Sequence, residues 1–113
     1  MKNSISSKDI ISFLNKMKRL VLEGKFQFVD RKKNLDSLAK YGLTIKDLKH
    51  TLFDLCVKDY YAGPKSDDDF SLGEIWEFIR RIETINFYIK LKLEEEENGE
   101  IIVCISFHES NRG

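Results

Sequence analysis

The chain has 113 residues, of which 42% are hydrophobic and 12% aromatic, values typical of a single globular domain with a modest core. It contains no apolar run of about 18 residues and no apolar segment of signal-peptide length near its start, so we expect neither a membrane span nor secretion. The formal net charge is zero, but residues 1–50 hold 12 basic and 5 acidic side chains (net +7), and residues 51–113 hold 7 basic and 14 acidic ones (net −7). The basic half either binds a polyanion or is neutralised by the acidic half within one domain. Cys56 and Cys104 lack metal-ligand spacing, which predicts reduced thiols in a cytoplasmic protein.

Helical periodicity dominates the first half of the chain. Three helices are predicted, each with apolar residues three and four positions apart and each with a recognisable start or stop signal. The alternating segment Lys25–Val29 predicts a short strand between the first two helices. The signals are Ser6, Asp9 and Gly24 for the first helix, Asn34 and Gly42 for the second, and Thr44 with Asp47 for the third.

Residues 59–69 are predicted to form one extended loop. This segment contains the single proline, Pro64, and three successive aspartates, Asp67–Asp69. An acidic trio suggests a metal site, but consecutive aspartates do not converge on one ion, and the alternate-position spacing of a calcium loop is missing. We therefore expect a solvated loop, and we expect the protein to use no metal and no cofactor.

Residues 75–82, 86–93 and 101–108 alternate between apolar and polar side chains and predict half-buried antiparallel strands. Directly opposed residues share a face, so the apolar sets should pair with each other. A four-residue turn over residues 83–86 and a three-residue loop over residues 97–99 keep that parity. The predicted pairs are Leu91 with Ile105, Lys90 with Ser106, Tyr88 with His108, Arg81 with Tyr88, and Glu77 with Lys92. The predicted core face of the last strand is Ile101, Val103, Ile105 and Phe107.

The polar face of this three-stranded meander would present Glu77, Arg81, Tyr88, Lys90 and His108. Metal-free RNA cleavage needs such groups, because a base takes the ribose 2′-hydroxyl proton, an acid protonates the leaving 5′-oxygen, and cations stabilise the charge at phosphorus. We expect Lys90 and Arg81 to lower the pKa of His108 and to outweigh Glu77, which would raise it. The alternative is an ordinary solvated sheet face, with Glu77 in a cross-strand ion pair and His108 at the surface near the chain end.

Five short motifs stand in a characteristic order: residues 43–55, Asp59-Tyr60-Tyr61 with Gly63-Pro64, Ile75-Trp76, residues 87–91 and residues 103–108. Their order and spacing resemble the MqsR-type toxins of bacterial toxin–antitoxin systems, which belong with the RelE-like endoribonucleases. The resemblance implies one toxin-like domain over residues 1–113, of α+β class, with a small antiparallel sheet and the N-terminal helices packed on one face. It also implies a metal-independent mRNA interferase of a type II system, with mRNA as substrate and a cognate antitoxin as partner.

The resemblance also assigns roles to individual positions. Tyr88 matches the active-site tyrosine of the family, His108 lies where a basic residue closes the site, and Glu77 lies where a glutamine is expected. Ala62 stands where a lysine is expected after the two aromatic residues of the loop. The implied substrate-binding residues are Tyr61, Lys65, Arg81 and Lys90.

Ala62 is the main departure from the family pattern, because a methyl group cannot offset phosphate charge, and losing one such group costs roughly 10²–10³ in rate. Three explanations stay open: Lys65 replaces the missing lysine from the same loop, the protein is weakened or non-catalytic, or the alanine is a deliberate replacement in a toxic protein. An inactive RNA- or antitoxin-binding protein on the same fold is therefore the alternative function, and a regulatory domain whose basic half binds a protein is a third.

Overall fold

The computed structural model describes residues 5–66 and 73–110, which form a helical layer on one side of a five-stranded mixed sheet. The helices are α1 (Ser7–Leu22), α2 (Lys32–Tyr41) and α3 (Ile45–Asp54), and a 3₁₀ turn spans Val57–Asp59. The strands are β1 (Phe26–Phe28), β2 (Tyr60–Ser66), β3 (Gly73–Ile82), β4 (Ile85–Glu96) and β5 (Gly99–Glu109).

The sheet has the strand order β1-β5-β4-β3-β2. Strands β2 to β5 are antiparallel neighbours, whereas β1 pairs with β5 in parallel. The α+β class and the N-terminal helices are confirmed, but the prediction of a purely antiparallel sheet is wrong at this edge. Parallel neighbours need a long crossover connection, and the chain from α2 to β4 supplies one.

The face of the sheet that carries α1, here called the core face, holds the hydrophobic core. Phe13 of α1 stacks on Trp76 of β3 with ring centroids 4.4 Å apart, which confirms the prediction that Trp76 is buried. Such an aromatic pair contributes about 0.5–1.5 kcal/mol beyond the apolar area that it buries. The core residues of the central strands are Trp76, Phe78, Phe87, Ile89, Leu91, Leu93, Ile102, Cys104 and Phe107.

Two of the three predicted helix starts are confirmed. The Asp9 amide donates to the Ser6 hydroxyl over 3.1 Å at the start of α1, and Thr44 and Asp47 form a reciprocal capping box at α3. Asn34, in contrast, does not cap α2: Arg31 occupies the cap position, without a side-chain capping bond, and Asn34 lies inside the helix with no exposed surface.

Asn34 is drawn into the interior because its amide satisfies three backbone groups there. Its Nδ2 donates to the carbonyl oxygens of Val29 at 2.8 Å and Ile105 at 2.9 Å, and the Phe107 amide donates to its Oδ1 over 3.1 Å. Buried backbone groups need such partners, so the tertiary bonds outweigh the local preference of asparagine for a cap.

The predicted loop over residues 59–69 is wrong for its first part, because Tyr60–Ser66 forms the edge strand β2. Its pairing with β3 shifts register on both sides of Ala62. Proline lacks an amide proton and is tolerated on edge strands and at bulges, which explains how Pro64 fits into β2. Asp67–Asp69 lie outside the described residues, so the solvated-loop prediction stays open there.

The hairpin of β4 and β5 contains a bulge that was not predicted from the sequence. The turn has two residues, with Glu96 opposite Gly99, so that Leu91 lies opposite Cys104 instead of Ile105. Further from the turn, a register shift between Leu91 and Lys90 restores the predicted pairs of Lys90 with Ser106 and Tyr88 with His108. As a result the core residues of β5 before the bulge are Ile102 and Cys104, and the predicted core face of Ile101, Val103 and Ile105 is wrong.

The turn between β3 and β4 is also shorter than predicted. Ile82 pairs with Ile85, and Glu83 adopts a positive φ of 57° in the two-residue turn. Glu77 therefore lies opposite Lys90 instead of Lys92, and Arg81 lies opposite Asn86 instead of Tyr88. Because the error is two residues and side chains alternate with a period of two, each residue keeps its predicted face.

Candidate functional site

The sheet face opposite to the core face, here called the open face, carries a connected set of polar side chains. The Tyr88 hydroxyl donates to Glu77 Oε1 over 2.9 Å, and Lys65 Nζ lies 2.7 Å from Glu77 Oε2. The rings of Tyr88 and His108 lie side by side with centroids 5.4 Å apart. We call Lys65, Glu77, Tyr88, Lys90 and His108 the open-face cluster.

Glu77 is the most buried member of the cluster, at 7% exposure. Burial by itself raises the pKa of its carboxyl. Hydrogen bonds from Lys65 and Tyr88 and the charges of Lys65 and Lys90 lower this pKa by more than burial raises it, so that the net pKa lies below its ordinary value. Glu77 is therefore a carboxylate at neutral pH. It accepts from both neighbours, which holds Lys65 and Tyr88 together at one end of the cluster.

His108 is half-buried beside Tyr88, and burial lowers the pKa of its ring below 6.5; the charges of Lys33 and Arg31 lower it too, while a hydrogen bond to Glu109 opposes the shift. The predicted direction is confirmed, but the responsible cations come from the start of α2 and not from Lys90 and Arg81. Nδ1 lies 3.1 Å from the Glu109 carbonyl oxygen, which has no proton to donate. Nδ1 therefore carries the proton in this contact, and the neutral ring has the lone pair of Nε2 left to accept one.

The remaining predicted site residues lie around this cluster at different distances from its centre. Ala62 lies opposite Glu77 on β2, and Tyr61 beside it is 41% exposed. Arg81 is exposed and donates from Nε to the Glu83 carbonyl oxygen over 3.0 Å, at the turn. Among residues 5–66 and 73–110, no hydrogen bond or ion pair joins Arg81 to the cluster.

The predicted ion pair between Glu77 and Lys92 is absent from the described structure. Lys92 Nζ lies 3.6 Å from Glu94 Oε2 along its own strand, whereas Glu77 is bonded by Lys65 from β2. Lys65 was one of the predicted substrate-binding residues, but its bond to Glu77 was not predicted, because a loop has no strand register that would place it opposite β3.

Sequence reasoning also missed Arg31, whose Nη2 donates to the Ser106 hydroxyl over 2.6 Å on the open face. The run of basic residues at positions 31–33 was its visible signal, but the 75 residues between Arg31 and Ser106 hid the contact. Within residues 5–66 and 73–110, no three histidine, cysteine, aspartate or glutamate side chains converge as a metal site would need. In the same ranges, no helix is long and apolar enough to cross a membrane.

The fold and the cluster define a small α+β protein with a polar, cation-rich site on the open face of its sheet. Residues 11–109 match the family described as motility quorum-sensing regulator, toxin of MqsA. The chain belongs to this family, which confirms the resemblance and makes it the toxin component of a toxin–antitoxin system with an antitoxin of the MqsA type as the implied partner. No curated protein and no solved structure gives a significant match.

Proposed function

We propose that this toxin is a metal-independent endoribonuclease that cleaves mRNA at the open-face cluster. The observation that carries the proposal is the bonded series from Lys65 through Glu77 to Tyr88, with the ring of His108 beside it. The series combines a proton acceptor, a proton donor and cations on neighbouring strands of one sheet face, which is the set of groups that RNA cleavage needs.

In the proposed reaction, Nε2 of neutral His108 takes the proton of the ribose 2′-hydroxyl, and that oxygen attacks the adjacent phosphorus. The bond from phosphorus to the 5′-oxygen breaks, and the Tyr88 hydroxyl protonates the leaving oxygen. Lys65 and Lys90 offset the charge on the phosphoryl oxygens and on the phenolate. Glu77 keeps Lys65 and Tyr88 in position, and the products carry a 2′,3′-cyclic phosphate and a 5′-hydroxyl.

Lys65 takes the place of the lysine that the family pattern expects at position 62. The register of β2 shifts between Ala62 and Lys65, and the shifted strand returns the ammonium group of Lys65 to the carboxylate opposite Ala62. The positive charge that Ala62 cannot supply therefore comes from Lys65, which lies three positions later on the same strand.

The test follows cleavage of a long mRNA by the purified protein between pH 5 and 9, with and without EDTA. A base works only when deprotonated, so the rate should rise with pH through an apparent pKa below 6.5 and then level off. His108→Gln should remove this rise and lower the rate by roughly 10²–10⁴. His50→Gln is the matched control, because His50 is the other histidine and is exposed on α3.

Three results would contradict the proposal: loss of activity in EDTA with rescue by magnesium, products without a 2′,3′-cyclic phosphate, or a His108→Gln profile that equals the His50→Gln profile. The first would replace acid–base chemistry by metal chemistry. The last would reduce His108 to a surface residue.

Ala62 favours a second candidate function, an inactive protein that binds RNA or the antitoxin on the same fold. The two functions differ in what Ala62→Lys does. If Lys65 supplies the charge, the unsubstituted protein cleaves RNA and Ala62→Lys raises its rate by less than about tenfold. Cleavage by Ala62→Lys alone, with a gain of roughly 10²–10³, would support the second function.

A further inference from the structure

Arg31 places a guanidinium on the open face from outside the sheet. It stands immediately before α2, and its Nη2 donates to the Ser106 hydroxyl over 2.6 Å. Ser106 is buried, at 2% exposure, and lies directly opposite Lys90 of the open-face cluster. A guanidinium anchored to a rigid strand in this way has a defined position beside the cluster.

The local structure does not require this arginine. Arg31 occupies the cap position of α2 without making a side-chain capping bond. Among residues 5–66 and 73–110, no carboxylate forms an ion pair with it. Its bond to Ser106 uses one of five guanidinium donors and leaves the positive charge uncompensated. The next residue, Lys32, differs in this respect, because its ammonium group lies 2.8 Å from the Asp36 carboxylate within α2.

We propose that Arg31 is a phosphate-binding residue that holds the RNA chain on the β5 side of the site. This inference rests on the proposed function and identifies how the substrate is held. The Lys65 ammonium is held at Glu77 of β3 and the Arg31 guanidinium at Ser106 of β5, two strand spacings of about 4.8 Å apart, or roughly 10 Å. The two cations therefore bind different phosphates, with Lys65 at the reacting phosphate and Arg31 at a neighbouring one. The planar guanidinium suits two phosphate oxygens at once.

The electrostatics of His108 agree with this placement. Arg31 and Lys33 are close enough to lower the pKa of the His108 ring, so positive charge from the start of α2 reaches the β5 end of the cluster. An RNA strand that lies across the sheet from β2 to β5 meets Lys65, Lys90 and Arg31 in turn.

The experiment measures binding of a fluorescein-labelled 20-nucleotide RNA of mixed sequence that is 2′-O-methylated at every ribose and therefore cannot be cleaved by this route. Fluorescence anisotropy gives Kd over a series of salt concentrations. Arg31→Gln should weaken binding roughly tenfold and reduce the magnitude of the slope of log K against log salt by about 0.7, as expected for one lost phosphate contact with a single strand.

Lys32→Gln is the matched control, because it removes one positive charge at the residue next to Arg31. The side chain of Lys32 is already paired with Asp36. Lys32→Gln should change Kd by less than about twofold. Arg31→Lys keeps the charge but loses the two-pronged geometry, so the salt slope should be kept while affinity falls to an intermediate value. Thermal unfolding of each variant checks that α2 is intact.

Equal affinities and equal salt slopes for Arg31→Gln and Lys32→Gln would overturn the inference. So would a loss of cleavage in Arg31→Gln with unchanged RNA binding, because Arg31 would then act in some other way. If the unsubstituted protein binds this RNA but cleaves no unmethylated RNA, the proposed function fails while the Arg31 comparison still decides the binding role. If it does not bind RNA at all, both proposals fail together.

Discussion

Asn34 is the residue whose substitution tests most directly how the site is held in place. Asn34→Ala removes the partner of three backbone groups: the carbonyls of Val29 and Ile105 and the amide of Phe107. An unsatisfied buried group costs about 1–3 kcal/mol. The Phe107 bond is buried and takes this cost in full, whereas the other two are partly buried and regain part of it from water. The free energy of unfolding should therefore fall by about 2–4 kcal/mol.

Urea unfolding followed by circular dichroism measures this change, and the midpoint should fall by about 1–2 M for a protein of this size. Asn15→Ala is the matched control, because it makes the same chemical change at an exposed position of α1, where the expected effect is within about 0.5 kcal/mol. Amide exchange at Phe107 should also become much faster in Asn34→Ala. If both variants unfold at the same urea concentration, the three bonds do not stabilise the bulge and the reasoning is refuted.

Three further predictions concern the core, the thiols and the site. Leu48 is fully buried, so Leu48→Ala should lower the free energy of unfolding by about 2–5 kcal/mol in urea titrations, whereas Leu22→Ala, at 78% exposure, should stay within about 0.5 kcal/mol. Burial raises the pKa of the Cys104 thiol to about 12, so a thiol-reactive chromophore at pH 8 should detect at most Cys56 until denaturant is added, and a second fast thiol would show that Cys104 is accessible. Lys65→Gln should lower the rate of RNA cleavage by roughly 10²–10³ in single-turnover assays, and a rate within a factor of three of the unsubstituted protein would remove Lys65 from the reaction.

Periodicity was sufficient to predict the helices and the central strands, because their apolar residues alternate clearly and their helix signals are local. It also placed Glu77, Tyr88 and Lys90 on one face, although the turn before them was predicted two residues too long. A two-residue error moves a strand along its partner without turning its side chains over. The sheet face of each of these residues was therefore predicted correctly, although its partner on the neighbouring strand was not always the predicted one.

The β5 strand shows why the rest could not be predicted. Residues 101–105 are apolar on both faces apart from Cys104, which itself behaves as a small apolar residue, so either alternating set could have been the core face. The bulge at Ile105 is bonded by Asn34, 71 residues away in sequence. No local pattern reports such a contact, and the same is true of Arg31 and Ser106.

The irregular strands on the two sides of the cluster connect these observations. Without the register shift in β5, the pairing near the turn would continue, Tyr88 would lie opposite Phe107, and His108 would point to the core face. Without the shift between Ala62 and Lys65, Lys65 would lie opposite Glu74 instead of Ile75, and its side chain would point to the core face. Bulges commonly redirect side chains next to functional sites. Here one bulged strand brings His108 to Tyr88 and the other brings Lys65 to Glu77. The regular strands β3 and β4 lie between them and carry the bond from Tyr88 to Glu77. The proposed reaction therefore depends on two local departures from regular sheet geometry, one in β5, which is bonded by Asn34, and one in the edge strand β2.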